Sequence, residues 1–286
     1  MKKILAITLL FICLGKIMGQ QQEILFSPEF QPNKKYEIVM NINENIIMTL
    51  DSIDKIERER ILEQLGGKES MSFSLRTGTK NKIFTKEKFE NKLPFEMNVQ
   101  VLETEVKMGD SVILKKDSLS SSSSKIYGFL YDKIKVKVDS VVNNSLTDSL
   151  KKTVASMMEN TYTNVAYPVE PMKIGNSFTQ EVPMNIAIPG FDSIEMIVVT
   201  TYKLTDVIGN KVFFNLVQNL KMKSDNTSMT MFIKGEGKGK LEYDIQNKIT
   251  SLVQSKIDIQ GNYNIQEINF TMTGKLETSI TNNITN

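Results

Sequence analysis

Two carboxylate pairs, two serine–lysine runs and one glycine-rich run are the residues of this chain whose types and spacing could do chemistry. Glu103 and Glu105 share one face of a predicted strand, as do Glu236 and Glu242 with Lys238 and Lys240 between them. Hydrolysis by paired carboxylates needs two acids about 5–10 Å apart in a cleft. A face of alternating charges is instead what a solvated sheet surface carries. Ser52-Ile53-Asp54-Lys55 and Ser149-Leu150-Lys151-Lys152 match the Ser-x-x-Lys spacing of serine–lysine enzymes. Both stand at predicted helix starts, where serine serves as a cap. Gly235-x-Gly237-x-Gly239 lacks the helix pattern that must follow a phosphate-binding loop. It reads as a bare strand face where a sheet curls sharply or a helix packs closely. The helix expected around Leu150 to Tyr162 is the candidate to lie on it.

What is missing narrows the chemistry further. The chain has no histidine, no tryptophan and a single cysteine, Cys13. Ser-His-Asp and Cys-His catalysis and His- or Cys-ligated metals are therefore outside its repertoire. No Asp-rich calcium loop of the EF-hand type occurs. No cofactor and no metal site is expected, and the chain is not expected to be an enzyme.

Cys13 lies in a leader. Lys2 and Lys3, the apolar run Ile4 to Gly15 and the small residue Gly19 read as a secretory signal peptide over residues 1–20. The apolar run is shorter than the roughly 20 residues that span a bilayer. The competing readings are lipid attachment at Cys13, which bulky Ile12 before it does not suit, and an uncleaved N-terminal anchor. Cleavage leaves residues 21–286 as one β-rich domain without disulfides, with a sub-boundary, if any, near residues 142–170. Lys and Arg number 35 against 33 Asp and Glu, so the mature chain is close to neutral. That disfavours nucleic acid as a partner. No transmembrane span is expected in the mature chain.

The elements that must position any site are mostly strands. Odd positions from Gly235 to Ile245 are Gly or apolar and even ones charged, the period of a half-solvated antiparallel strand. Gln246-Asn247-Lys248 is a turn signal, and strands with Ile249 to Tyr263 and Phe270 to Ile280 follow. Ile194 to Val207 and Lys211 to Leu220 flank a hairpin turn at Ile208-Gly209-Asn210. Phe178 to Ile188, Ile134 to Val138, Tyr36 to Ile42, Met71 to Arg76 and Pro94 to Val106 also read as extended. Helical spacing occurs over Ile53 to Leu65 and Asn144 to Tyr162. The fold class is mainly β: a curved antiparallel sheet, or half-open barrel, with one or two amphipathic helices on its concave face.

Methionine is adaptable and common on apolar binding surfaces. Met184, Met196, Met231 and Met272, with Tyr243 and Phe270, are the candidate ligand-facing residues, and ordinary core filling explains the same pattern. Asp-Ser-aliphatic triplets recur around Ser52, Ser111, Ser118, Ser140, Ser149 and Ser193. Turn and cap chemistry accounts for them. They also resemble the triplets at which Bacteroidota O-glycosylate exported proteins, which implies that these serines are candidate glycan sites.

Tyr167-Pro168-Val169-Glu170-Pro171-Met172-Lys173-Ile174-Gly175-Asn176-Ser177-Phe178 resembles the P-x-x-P-hydrophobic-x-x-G-D/N-S/T-aromatic run of uncharacterised secreted Bacteroidota proteins, with Phe178 where tryptophan is usual. The glycine strand and C-terminal meander are similar too. The resemblance implies export to the periplasm or surface of a Gram-negative bacterium, and a plan like the half-barrels of periplasmic lipoprotein carriers. It assigns no functional residue. The expected function is non-enzymatic binding of an apolar ligand, lipid or lipidated partner in the concavity. The alternatives are an envelope or surface structural protein whose sheet edges or faces bind another protein, such as another envelope protein, and, less favoured, a carboxylate hydrolase.

Overall fold

The computed structural model describes residues 23–51, 59, 62–63, 67–117, 123–131, 135–163, 167–186, 194–222, 231–265 and 268–285. The leader and most of the helix expected over Ile53 to Leu65 lie outside them; of that helix, Glu59, Leu62 and Glu63 are described and are helical.

Twelve strands form one open antiparallel sheet that does not close into a barrel. In chain order they are β1 (Lys35–Leu50), β2 (Ser70–Thr85), β3 (Leu93–Met108), β4 (Ser111–Asp117), β5 (Ser124–Tyr131), β6 (Lys135–Val142), β7 (Ser177–Ile186), β8 (Ile194–Ile208), β9 (Lys211–Met222), β10 (Met231–Asp244), β11 (Ile249–Ile265) and β12 (Ile268–Thr285). The spatial order is β6-β5-β3-β2-β1-β12-β11-β10-β9-β8-β7, with β4 paired to the far end of β3. Two meanders of six strands thus meet where the first strand pairs the last, Lys35 opposite Thr285 through Leu50 opposite Phe270. One helix, α1 (Asp148–Thr163), connects them, within the region 142–170.

Alternation of side chains divides the sheet into two faces. The outer face carries cross-strand ion pairs, among them Lys256–Glu277 at 2.8 Å, Lys80–Glu37 at 2.8 Å and Arg76–Glu103 at 2.9 Å. The inner face carries three apolar clusters. One joins Ile46, Met48, Met196, Leu220, Ile233, Ile257, Ile259 and Met272. A second gathers Tyr36, Phe95, Ile126 and Val138 with their neighbours. The third centres on Phe26, Phe214 and Tyr243.

The sheet curls most tightly at β10. Strands β9 and β11, which flank it, approach within 8 Å between Cα atoms. A Cβ on Gly239 would stand 2.3 Å from the Gln254 carbonyl oxygen, and one on Gly237 2.7 Å from that of Lys256. The glycines therefore permit the curl, as their shared strand face predicts.

The helix expected on that glycine face lies elsewhere. Val154, Ala155 and Met158 of α1 pack on the second cluster. Glu159 accepts a hydrogen bond from the Val138 amide at 2.9 Å and pairs with Lys137 at 3.1 Å. The helix thus satisfies backbone of β6, an edge strand that would otherwise invite pairing with other chains. Ile257 and Leu220 side chains crowd the glycine face instead. The N-cap is Thr147, whose hydroxyl accepts from the Leu150 amide at 3.4 Å, rather than Ser149, which sits in the first turn. At the opposite edge, Pro183 interrupts the amide row of β7.

Residues 23–31 form a strap over the third cluster. Ile24 exchanges backbone hydrogen bonds with Met172, and the Glu29 amide donates to the Lys248 carbonyl. Phe26 fills the space beneath, with ring centroids 4.9 Å from Phe214, 4.8 Å from Tyr243, 5.4 Å from Tyr167 and 5.5 Å from Phe178.

Candidate functional site

The inner face is apolar toward both ends of the strands and polar across the middle. On β2, successive inward positions are Thr77, Thr79 and Asn81, opposite Ile42, Met40 and Ile38 of β1. Asn282 of β12 flanks Ile38 from the other side, and Thr278 flanks Ile42. Across the curl, Gln180 and Thr200 are buried, and Gln218 donates to the Thr200 hydroxyl at 3.3 Å. Among the described residues, four buried side-chain oxygens there have no hydrogen-bond partner: Thr79 Oγ1, Asn81 Oδ1, Gln218 Oε1 and Asn282 Oδ1. Interiors rarely leave such atoms unsatisfied.

One carboxylate stands on this face. Among the paired inward positions of β1–β3 and β5–β12, Glu44 alone carries a charge. Its direct neighbours are Leu75 of β2 and Leu276 of β12, with Ile42 and Ile46 before and after it on its own strand. No cation lies within ion-pair distance among the described residues. Burial raises its pKa above the ordinary value of 4.5, and no charged neighbour offsets the shift. The sole inward-facing cation of the sheet, Lys116 of β4, stands opposite Thr104 at the rim, three strands from β1. Beside Glu44 the first cluster continues into half-buried Met71, Phe73 and Leu276, which offer apolar surface.

The expected site residues separate. Met196 and Met272 are buried together in the first cluster. Met184 pairs with Met196, and Met231 with Tyr263, itself opposite Phe270; the side chains of Met184 and Met231 lie outside those described. Phe270 is half-buried and opposite Leu50. Tyr243 belongs to the third cluster at the other end of the strands, where its hydroxyl donates to the Ser27 carbonyl at 3.2 Å and burial raises its pKa. It is covered by the strap and is part of the core.

The carboxylate pairs are surface groups. Glu103 pairs with Arg76, Glu105 with Lys107 at 2.7 Å and Glu242 with Lys211 at 3.1 Å, all on the outer face. The Lys107 ammonium donates to Glu105 and holds its carboxyl below the usual range. Ser149 and Lys152 are exposed on α1; Ser52 lies outside the described residues. Of the triplet serines, Ser111, Ser140 and Ser149 are exposed, and Ser52, Ser118 and Ser193 lie outside the described residues. Among the described residues no group of three His, Cys, Asp or Glu could hold a metal. No helix among them is long and apolar enough to cross a membrane.

Sequence reasoning missed Glu44, although a signal for it was present. Tyr36, Ile38, Met40, Ile42, Ile46, Met48 and Leu50 continue one alternation through it. A single acid in an otherwise apolar row marks an inward charge. Compared with known proteins, the chain matches no protein-family model and no curated sequence.

Proposed function

We propose that this protein is an exported, non-enzymatic binder that holds an apolar or amphipathic ligand, a lipid or a lipidated partner, against the inner face of its sheet. The observation that carries this reading is the composition of that face. It has methionine-rich and isoleucine-rich clusters with half-buried apolar side chains beside them toward the ends of the strands, and a band of neutral polar side chains between, so apolar surface and polar groups stand together as in small-molecule sites. The open sheet leaves a route to it. The likeness to lipoprotein-carrier half-barrels and the leader favour the same reading and an envelope location. Native mass spectrometry of protein purified from its host tests it. A co-purifying lipid mass, displaced by a fluorescent fatty-acid probe, is expected. Neither a bound lipid nor probe binding would sink the reading.

One observation favours a second reading, an envelope protein that docks another protein. Edge strand β4 exposes three consecutive apolar residues, Val112, Ile113 and Leu114, each about half or more accessible. Exposed apolar edges invite strand addition. Capture of one stoichiometric envelope protein, lost in Ile113→Lys, would support it.

A further inference from the structure

We propose that Glu44 anchors the protonated amine of a cationic amphiphile, whose apolar body lies over Met71, Phe73 and Leu276. The inference rests on the binding reading above and names the ligand's head group. Charges taken even partly out of water are normally paired, and Glu44 is half-buried. Glu44 is flanked by Leu75 and Leu276 and has no cation partner among the described residues. Lys116 is three strands away, about 15 Å at the usual strand spacing, and the other lysines of these strands point to the outer face or lie in exposed positions. Among the described residues nothing neutralises the carboxylate, which leaves it open to a cation from outside the chain.

The chemistry of that partner follows from what surrounds it. An anionic head would add a second negative charge to a poorly solvated site. A neutral alcohol would give a single ordinary hydrogen bond. An ammonium gives a charge-assisted bond, the stronger class. The diagonal neighbours Thr77 and Thr278 add hydroxyl acceptors: Thr77 already donates its proton to the Glu103 carbonyl or shares it with Thr104, which leaves lone pairs inward. Raising of the Glu44 pKa by burial agrees with a carboxylate that gains most from an added cation.

The test uses the mature protein and three probes of one chain length below their micellar concentrations: decylamine, decanol and decanoate, each titrated calorimetrically. Decylamine is expected to bind at least about tenfold more tightly than decanol, with decanoate weakest. In Glu44→Gln, decylamine falls to the level of decanol, and decanol is unchanged. Leu75→Lys, which sets an ammonium directly beside Glu44, removes the amine preference without touching the carboxylate. Circular dichroism checks that each variant folds; should one not fold, the other decides. Equal binding of amine and alcohol, a tighter decanoate, or an amine preference that survives both substitutions overturns the Glu44 assignment and leaves the binding reading standing. Failure of all three probes to bind overturns both.

Discussion

Gly239→Ala tests whether the curl at β10 depends on missing side chains. The added Cβ would stand 2.3 Å from the Gln254 carbonyl oxygen and 3.1 Å from Ser255 Cα. Ordinary contact needs roughly another ångström. The obstacle is the backbone of β11, and Gly239 pairs directly with Ser255, so relief requires the two strands to part. Overpacking of this kind costs about 1–3 kcal/mol. Loss of glycine's freedom in the unfolded chain returns about 0.5–1 kcal/mol. At the middle of these ranges a net loss of about 1 kcal/mol remains, which for a chain of this size lowers Tm by about 2–4 °C. Gly78→Ala is the internal control. Its Cβ would meet the tip of the Asn41 side chain at 3.0 Å, which can swing aside, so its Tm should move by no more than about 2 °C. Scanning calorimetry of both variants decides the matter. Equal Tm values for the two would refute the argument that backbone proximity, rather than loss of glycine as such, sets the effect.

Other consequences are as direct. Glu44→Gln should raise stability at neutral pH, because the folded pKa of Glu44 lies above its unfolded value. Its destabilising effect is absent below the ordinary glutamate pKa and appears as pH rises through the folded one; the Tm gap between variant and parent should therefore close in acid. Glu277, held low by its hydrogen bond from Lys256, works in the opposite sense, and the stability it contributes is lost as pH falls through its folded pKa. Phe26→Ala should cost about 3–5 kcal/mol in urea unfolding, since its ring is buried among four aromatic rings beneath the strap. Glu159→Ala should speed hydrogen exchange at the Val138 amide, which loses its acceptor, with little change at Leu220 far across the sheet.

How much of this could be read from residues differed by element. Strand β10 was legible from Gly235 onward, because there its outer face is charged and its inner face is glycine or apolar; its start at Met231, with Phe232 exposed on the outer face, lay outside that pattern. Turns at Gly209-Asn210 and Gln246-Asn247-Lys248 were legible from their glycine and asparagines; Gly209 takes the positive φ in the first, while in the second it falls on Lys248 and not on Asn247. The second half of β2 was not. Thr77, Thr79 and Asn81 face inward and Lys80 and Lys82 outward, so both faces are polar and the alternation vanishes. That loss coincides with the polar middle of the candidate site. β4 was hidden for the opposite reason, since Val112, Ile113 and Leu114 are apolar on both faces of an edge strand. The place of α1 was out of reach because its amphipathic stripe says that it packs, not on what. Glu159, which accepts from the Val138 amide and pairs with Lys137, ties it to β6 together with the packing of Val154, Ala155 and Met158. Phe26 and the strap were missed because a segment without periodicity announces no partner, and its anchors Met172 and Lys248 are distant in sequence.

The central claim is that the inner face takes an amphiphile with its charged end at Glu44. A crystal structure with a decylamine carrying bromine on its terminal carbon tests it most directly, since anomalous scattering locates the tail independently of the head. The account predicts the amine nitrogen about 3 Å from a Glu44 carboxylate oxygen and the bromine over the Phe73–Leu276 surface. Bromine at the β4 edge beside Val112 to Leu114, or an amine that leaves Glu44 untouched, would contradict it.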